Sequence, residues 1–317
     1  MKPVPNEAAG KAFCSTANLG AGFDTFGLAL DKYSDTVRIR LTQNRKIRII
    51  LRGAQAHELP NEARANSAGP PSITLLRKAR SKKGLVIRID KGVPQGLGLG
   101  SSGATAAACT KTLNHLLRLN LSNDEMVQVA SLGEKAVAGT AHADNVGASL
   151  LGGFVIVYGK QVRTISMKPP TSLRVVVATP RLVSGDSKTR KARKLVPNQI
   201  ETRSAILNIG RASAIVSGFA QGNVQMIGTG MEDEIAEPYR EILIPGYRDV
   251  RRMAIDAGAA GVAISGAGPS LIALVNAANH DARGIAQAMV RGFSDNNVRS
   301  SWFIARPAPG ARLIESR

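Results

Sequence analysis

The stretch Pro94-Gln95-Gly96-Leu97-Gly98-Leu99-Gly100-Ser101-Ser102-Gly103 carries the strongest local signal in the chain. Three alternate glycines let the backbone come close to a bulky anion and turn its N–H groups toward it. A small-residue helix is expected from Ser101–Ser102 to about Leu119; its N-terminus adds unpaired amides and a partial positive charge. The hydroxyls of Ser101 and Ser102 offer further donors, or a ligand for a phosphate-bound Mg²⁺. A triphosphate is the natural occupant of such a loop. Two commoner glycine-rich patterns are excluded. The form G-x-x-x-x-G-K-[ST] needs a Lys where this chain has Ser101. The dinucleotide form needs a strand after the helix, and the region after Leu119 reads instead as a second helix.

Upstream of the loop, β-branched runs at Asp35–Leu41, Lys46–Leu51 and Leu85–Ile89 predict a strand-rich start. Downstream, Ser122 with Glu125 three residues on forms a capping box for a helix ending near Gly139, and Phe154–Tyr158 reads as a strand. The pattern changes after Gly159, so a domain boundary is placed near residue 160. Beyond it come a strand at Leu173–Thr179 and helical segments at Ser187–Lys194, Gln199–Gln221 and Gly222–Gly230. A helix at Tyr247–Ala257, a strand at Gly261–Ser265, the loop Gly266–Pro269 and a strand at Ser270–Val275 follow. A helix at His280–Gly292 and a strand at Ser300–Ile304 complete the order. Setting the extra helices aside, the order is βαββαβ, the split pattern of a ferredoxin-like sandwich. The tail Arg306–Arg317 reads as mobile.

At 317 residues the chain suggests two domains, and 44% hydrophobic with 21% charged residues excludes wholesale disorder. Two cysteines, Cys14 and Cys109, can build neither a disulfide framework nor a zinc cage, which argues for a reducing compartment. No stretch reads as a membrane span and Met1–Lys11 has no signal-peptide core, so a cytoplasmic chain is expected. Lys and Arg number 42 against 23 Asp and Glu, a net charge of +19 that attracts polyanions. Aromatics are only 4%, few platforms for stacking bases, so no dedicated nucleic-acid partner is expected.

Pro94 to Gly103 resembles the second motif of the GHMP kinases, a superfamily of small-molecule kinases. Two further segments match in the same order. Ser15-Thr16-Ala17-Asn18-Leu19-Gly20-Ala21-Gly22-Phe23-Asp24-Thr25-Phe26-Gly27-Leu28-Ala29-Leu30 resembles the N-terminal motif in its homoserine kinase form. Gly258–Ser270, with Ser265-Gly266-Ala267-Gly268-Pro269-Ser270, resembles the third motif, a loop that closes over the site. His142-Ala143-Asp144-Asn145-Val146 is again most similar to the homoserine kinase branch. The resemblance implies an α+β, two-domain fold: residues 1–160 an N-terminal α/β domain with the phosphate loop, and 161–317 a ferredoxin-like C-terminal domain. It implies ATP and Mg²⁺ as cofactors and transfer of the γ-phosphoryl to the hydroxyl of L-homoserine. A mevalonate or shikimate kinase is the alternative enzyme, and a nucleotide- or nucleic-acid-binding protein without turnover is favoured by charge alone. Dimers are frequent in the branch, so a homodimer is expected by analogy.

The same resemblance assigns roles. Asn18 and Asp24, which alone read as turn residues, line the amino-acid pocket with His142, Asp144 and Asn145. Asp144, in the loop after Gly139, faces the substrate ammonium. Asn145 stands where many relatives have a catalytic Asp; an amide cannot accept the proton, so Asn145 orients the hydroxyl and a phosphate oxygen takes the proton. Arg193 and Arg240 grip the substrate carboxylate, with Arg193 counted as catalytic beside Asp144 and Asn145. Glu134 and Ser102 hold Mg²⁺. Nucleotide contacts fall to Asn66, Lys91, Pro94, Gly96, Leu97, Gly98, Leu99, Gly100, Ser101, Ser102, Gly103, Thr189 and Gly266. Ala21, Gly103 and Ser149 depart from residues common among relatives, which touches loop stiffness rather than chemistry.

Overall fold

Alternation along Val37–Leu41 and Leu85–Ile89 turns Val37, Ile39, Leu85, Ile87 and Ile89 to one face, where all five are fully buried. That face is the floor of the N-terminal domain in a computed structural model, which describes residues 5–53, 55–138, 142–182 and 188–316. The first half contains β1 (Glu7–Ala17), β2 (Phe26–Thr42), β3 (Ile47–Gly53), α1 (Gly69–Lys78), β4 (Gly84–Lys91) and α2 (Ser101–Leu116). It continues through α3 (Asn123–Ala138), α4 (Asp144–Leu151), β5 (Phe154–Tyr158) and β6 (Arg163–Met167). The second half contains β7 (Leu173–Pro180), α5 (Lys188–Lys194), α6 (Thr202–Gln221), α7 (Val224–Thr229), α8 (Glu237–Arg240), α9 (Tyr247–Asp256), β8 (Gly261–Ile264) and β9 (Leu271–Asn276). Last come α10 (Ala282–Ser294), β10 (Ser300–Ala305) and β11 (Arg312–Ser316).

The first sheet runs β11-β1-β2-β4-β3, with β5 pairing the start of β2 and β6 pairing β5. Its inner face packs on α2, which is buried nearly all round because Ala104, Ala106, Ala107, Ala108 and Cys109 keep its girth small. The capping box forms as expected: Ser122 Oγ accepts from Glu125 N at 3.3 Å while Glu125 Oε2 accepts from Ser122 N at 3.0 Å. The second sheet has the order β10-β7-β9-β8, antiparallel throughout, the ferredoxin-like arrangement of a βαββαβ chain. One face, with Val176, Ala178 and Ala273, packs on α9 and α10. The other, with Val175, Val177, Ile272 and Leu274, joins Cys14, Leu28 and Phe154 of the first domain and Ile215 and Phe219 of α6 in one cluster. A shared core thus locks the domains together.

Several elements differ from the sequence reading. The first sheet reaches past residue 160: β6 pairs β5, and β11 returns to β1 through Ala8↔Ser316 and Lys11↔Arg312. The tail is therefore no mobile end, since Pro307 and Pro309 bridge Leu30 and Gly152 on its way to β11. Its Pro and Arg content resembles a linker, but an edge strand tolerates both. Helix α1, absent from the sequence reading, begins Gly-Pro-Pro, which suits a first helical turn. Asp144 and Asn145 open helix α4 rather than lying in a loop. The N-terminal helix of the phosphate loop ends at Leu116, not Leu119.

Deleting residues 312–317 removes the β11 ladder from β1, and the thermal midpoint is expected to fall by several degrees; an unchanged midpoint in circular dichroism melts would return the tail to the status of a free end.

Candidate active site

Three loops meet at one seam. The first, between β1 and β2, holds Asn18, Leu19 and Asp24 at positive φ of 74°, 52° and 55°. Asn and Asp accept that region readily, but a fully buried Leu does not, so the strain marks a loop held by its surroundings. The second is the glycine loop, where Gly96, Gly98 and Gly100 all have positive φ. A Cβ on Gly98 would lie 2.1 Å from Ser265 O, and one on Gly100 would lie 2.3 Å from Ser15 Oγ and 2.7 Å from Asn145 Oδ1. A Cβ on Gly96 would meet nothing within 4 Å, which leaves that side of the loop open to a ligand. The third loop follows β8: Ser265 Oγ donates to Gly98 O at 2.6 Å and to Thr16 Oγ1 at 2.9 Å, and Gly266 N donates to Ala17 O at 3.1 Å.

The seam encloses a cavity of about 400 Å³, a normal size for a small-ligand site. Its walls include Asn18, Asp24, Asn66, Lys91, Pro94, Gly96, Gly98, Leu99, Gly100, Ser101, Ser102, Glu134, His142, Asp144, Asn145, Arg193, Arg240 and Gly266, all expected site residues. Leu97 and Gly103 do not line it. The Leu97 side chain packs on the shared core, and Gly103 allows α2 to lie close to α4, since a Cβ there would be 3.3 Å from the Asn145 and Val146 backbone. Thr189 lies on α5, but its side chain falls outside the described residues.

At the deep end, charges are arranged in opposed sets. Asp24 pairs with the Arg193 guanidinium and, at 3.3 Å, with His142 Nδ1. Burial works to raise its carboxyl, but the hydrogen bonds and charge of these two partners outweigh it and hold Asp24 below the usual carboxylate range. Asp24 in turn raises His142 against the effect of burial. Among the described residues Asp144 has no cation in contact: burial, then the charge of Asp24, pushes its carboxyl up to about 6. Arg240 is 5% exposed, and its guanidinium donates to Ala192 O at 3.1 Å and Gly266 O at 3.2 Å. Phe23, which the sequence reading passed over, lies beside both guanidinium carbons, 5.1 Å from Arg193 and 4.9 Å from Arg240. Ring contacts of this kind let two like charges sit near each other at lower cost.

Nearer the glycine loop, Asn145 Oδ1 accepts from Ser15 Oγ at 2.9 Å, which leaves its Nδ2 donor directed toward the Gly266 side of the cavity. Glu134 Oε1 is buried with no hydrogen-bond partner among the described residues; burial raises its carboxyl, and Ser102 hydrogen-bonds to the group. A lone desolvated carboxylate oxygen beside a hydroxyl fits one or two sites on a hard divalent ion, with phosphate oxygens and waters supplying the rest. Among the described residues no cluster of three His, Cys, Asp or Glu forms a complete metal cage.

Two expected nucleotide contacts are engaged elsewhere. Lys91 Nζ is ion-paired with buried Asp35 and donates to Ser101 O at 3.0 Å, Ser101 Oγ at 2.8 Å and Thr105 Oγ1 at 2.9 Å. It buttresses the first turn of α2, with the second Asp35 oxygen accepting from Gly92 N and Val93 N, each at 3.0 Å. Asn66 donates to Pro60 O at 2.8 Å and accepts from Ala68 N at 3.0 Å, shaping the wall it belongs to. Leu51, Leu59, Pro60 and Ala65 complete an apolar stretch of that wall, suited to a planar base. No sequence signal marks them, because they are brought together from the end of β3 and the loop before α1.

A main-chain anion cradle opening onto a charged pocket, at the junction of an α/β domain and a ferredoxin-like domain, has the makings of a small-molecule kinase site. Residues 71–153 match the GHMP kinases N terminal domain and residues 214–294 the GHMP kinases C terminal domain. The chain is 38% identical over 299 residues to the homoserine kinase of Thermoplasma acidophilum, 94% of each chain, and 37% identical to that of Haloquadratum walsbyi, over 96% of this chain and 99% of the other. The crystal structure of homoserine kinase from Cytophaga hutchinsonii superposes with a TM-score of 0.89 at 32% identity, covering 99% of both chains. The chain belongs to the GHMP kinases, in their homoserine kinase branch. The fold extends further, to L. major mevalonate kinase at a TM-score of 0.64 and 14% identity.

Replacing Lys91 by Met strands the Asp35 charge in the core, so Lys91→Met should destabilise the fold by about 3–5 kcal/mol. The double variant Lys91→Met/Asp35→Asn is expected to recover much of that loss. Denaturant melts check the cycle, and a Lys91→Met protein of full stability with a raised KM for ATP would make Lys91 a phosphate ligand instead.

Proposed function

We propose that this chain phosphorylates L-homoserine, moving the γ-phosphoryl group of ATP to the side-chain hydroxyl and releasing O-phospho-L-homoserine and ADP. One observation carries the substrate assignment: beside the phosphate cradle, Asp144, a buried carboxylate with no cation in contact among the described residues, lies in the same cavity as two guanidiniums, Arg193 and Arg240. That is the charge pattern of a zwitterion, and a mevalonate or shikimate, with a carboxylate but no ammonium, would leave Asp144 uncompensated. Asp24 already carries Arg193 and His142, so the ammonium falls to Asp144 and Asp24 aims Arg193. Arg240 and Arg193 receive the carboxylate, with Phe23 setting their separation.

The Asn145 Nδ2 donor holds the hydroxyl oxygen toward the γ-phosphorus. A new O–P bond forms there as the bond from the γ-phosphorus to the β,γ-bridging oxygen breaks, and the hydroxyl proton passes to a phosphate oxygen. Phosphoryl transfer relies mainly on alignment and charge stabilisation, so no protein base is needed. Amides of residues 96–102 and the α2 N-terminus hold the β- and γ-phosphates. Glu134 and Ser102 would hold Mg²⁺, which supplies charge neutralisation on the transferring group when bound. Catalysis in this form calls for no nucleic-acid partner, and it fits a cytoplasmic enzyme in threonine synthesis, with a homodimer as its assembly. Among the described residues no helix is long and apolar enough to cross a membrane.

ADP release with homoserine, threonine, mevalonate and shikimate as acceptors tests the assignment; stimulation by mevalonate with none by homoserine would overturn it. Arg240→Ala is expected to raise the homoserine KM at least tenfold with the ATP KM within twofold, and Phe23→Leu to raise it severalfold through a misaligned clamp. Equal losses for both substrates in either variant would contradict the clamp. Asp144 is neutral below about pH 6 and anionic above it, so kcat/KM for homoserine should fall about tenfold per pH unit below 6 and level off above. With Asp144 acting on binding alone, kcat stays flat over that range; a parallel fall in kcat would make Asp144 the proton acceptor.

A further inference from the structure

Residues 38–91 contain fourteen Lys and Arg against three Asp and Glu, a net +11 of the chain's +19. The fold concentrates many of these charges on one surface. Val37, Ile39, Leu85, Ile87, Ile89 and Ile49 fill the core side of β2, β4 and β3, so the strand alternation turns the intervening residues to the other face. There the register sets Arg40 and Arg48 on either side of Val86, Arg38 beside Arg88, and Arg52 beside Asp90. Arg38 is matched by Glu7 at 3.4 Å and Glu315 at 2.5 Å. Arg40, Arg48, Arg52 and Arg88 have no ion-pair partner among the described residues. Arg40, Arg48 and Arg52 are exposed, and exposed Lys46 and Lys82 border the end where β3 and β4 begin. From strand spacing and rise the four arginines cover about 10 by 13 Å.

We propose that this outer sheet face binds the phosphate backbone of a nucleic-acid duplex, independently of sequence and apart from the kinase cavity on the opposite side of the sheet. Three features select that partner. The outer positions of these three strands hold no aromatic side chain, so single strands have no platform for base stacking. Their apolar content is Val86 and Ile50, too little for the desolvated anchor that a protein interface uses or for insertion into a lipid surface. A rigid array of unpaired guanidiniums suits a partner carrying one charge per about 1.7 Å, whose binding is driven by counterion release.

Fluorescence anisotropy with a labelled mixed-sequence duplex of about 24 base pairs, as RNA and as DNA, tests the proposal on the full chain. The face variant R40Q/R48Q/R52Q/R88Q is compared with R181Q/R283Q/R291Q/R299Q, which loses the same charge from exposed positions of the second domain. The face variant should bind the duplex at least tenfold more weakly at about 0.1 M salt, with a log–log salt slope shallower by roughly 3–4. The control should stay within twofold, and homoserine phosphorylation should be unchanged in both. Equal weakening of the two variants, tighter binding of phosphatidylserine vesicles or polyglutamate than of duplex, or no wild-type binding at 50 mM salt would each overturn it. RNA and DNA duplexes are expected to bind alike; tenfold preference for either would show readout beyond the backbone.

Discussion

The contact on which the rest of the molecule depends is the approach of the third loop to the second, where Ser265 Oγ donates to Gly98 O at 2.6 Å and Gly98 has no room for a Cβ. A carbonyl tied on one side of the loop helps commit its amides to the other, which is the geometry an anion cradle needs. The same hydroxyl reaches Thr16 on β1, and Gly266 O accepts from both Asn18 and Arg240. Through these side-chain donors, most of them anchored on main-chain carbonyls, the first, second and third loops are placed relative to one another. The shared core of Leu28, Phe154, Phe219 and Leu274 then holds the two domains at the separation the seam requires.

Within that frame the charged groups are balanced by position. Asp35 neutralises Lys91 beneath the helix, and Asp24 pairs with Arg193 and His142 at the side. Among the described residues Asp144 and Glu134 are buried without a cation in contact, and burial raises both carboxyl pKa values. A raised carboxyl pKa means the folded state favours the proton, so each group costs stability above its pKa and returns it as the pH falls. The cavity is thus a place where the fold is held in an electrostatically unfavourable state until cations meet those carboxylates. Such strain is what a site built to bind positive groups must contain.

Much of this was legible in sequence because the motifs that carry the chemistry are local. The glycine loop, the capping box at Ser122–Glu125, and the βαββαβ order of the second half depend on neighbouring residues, and all three appear in the structure. What was missed depends on distant partners. β11 is a strand only because β1 offers an edge, and Lys91 is structural only because Asp35, fifty-six residues away, is buried beneath it. Phe23 carries no motif signal of its own, since its meaning comes from two arginines contributed by α5 and α8. The concentration of arginines on one sheet face was hidden as well: in sequence they are spaced through three strands, and only the register gathers them.

The separation of the two charge systems has a physical consequence for how the enzyme can carry so basic an exterior. Charges on the outer face of β2, β4 and β3 are divided from the cavity by the sheet, whose inner-face Leu51 forms part of the cavity wall, and they meet solvent ions, which screen them within about 10 Å at 0.1 M salt. The cavity charges are buried and screened far less, so their balance is set by Asp24, Asp144, Glu134 and the arginines facing them. The surface can therefore gain or lose cations without retuning Asp144 or His142, while a single change at Asp24 would alter both at once. Selection on the two faces of the sheet can proceed independently, and that independence is what allows a small-molecule site and a polyanion-attracting surface to share one domain.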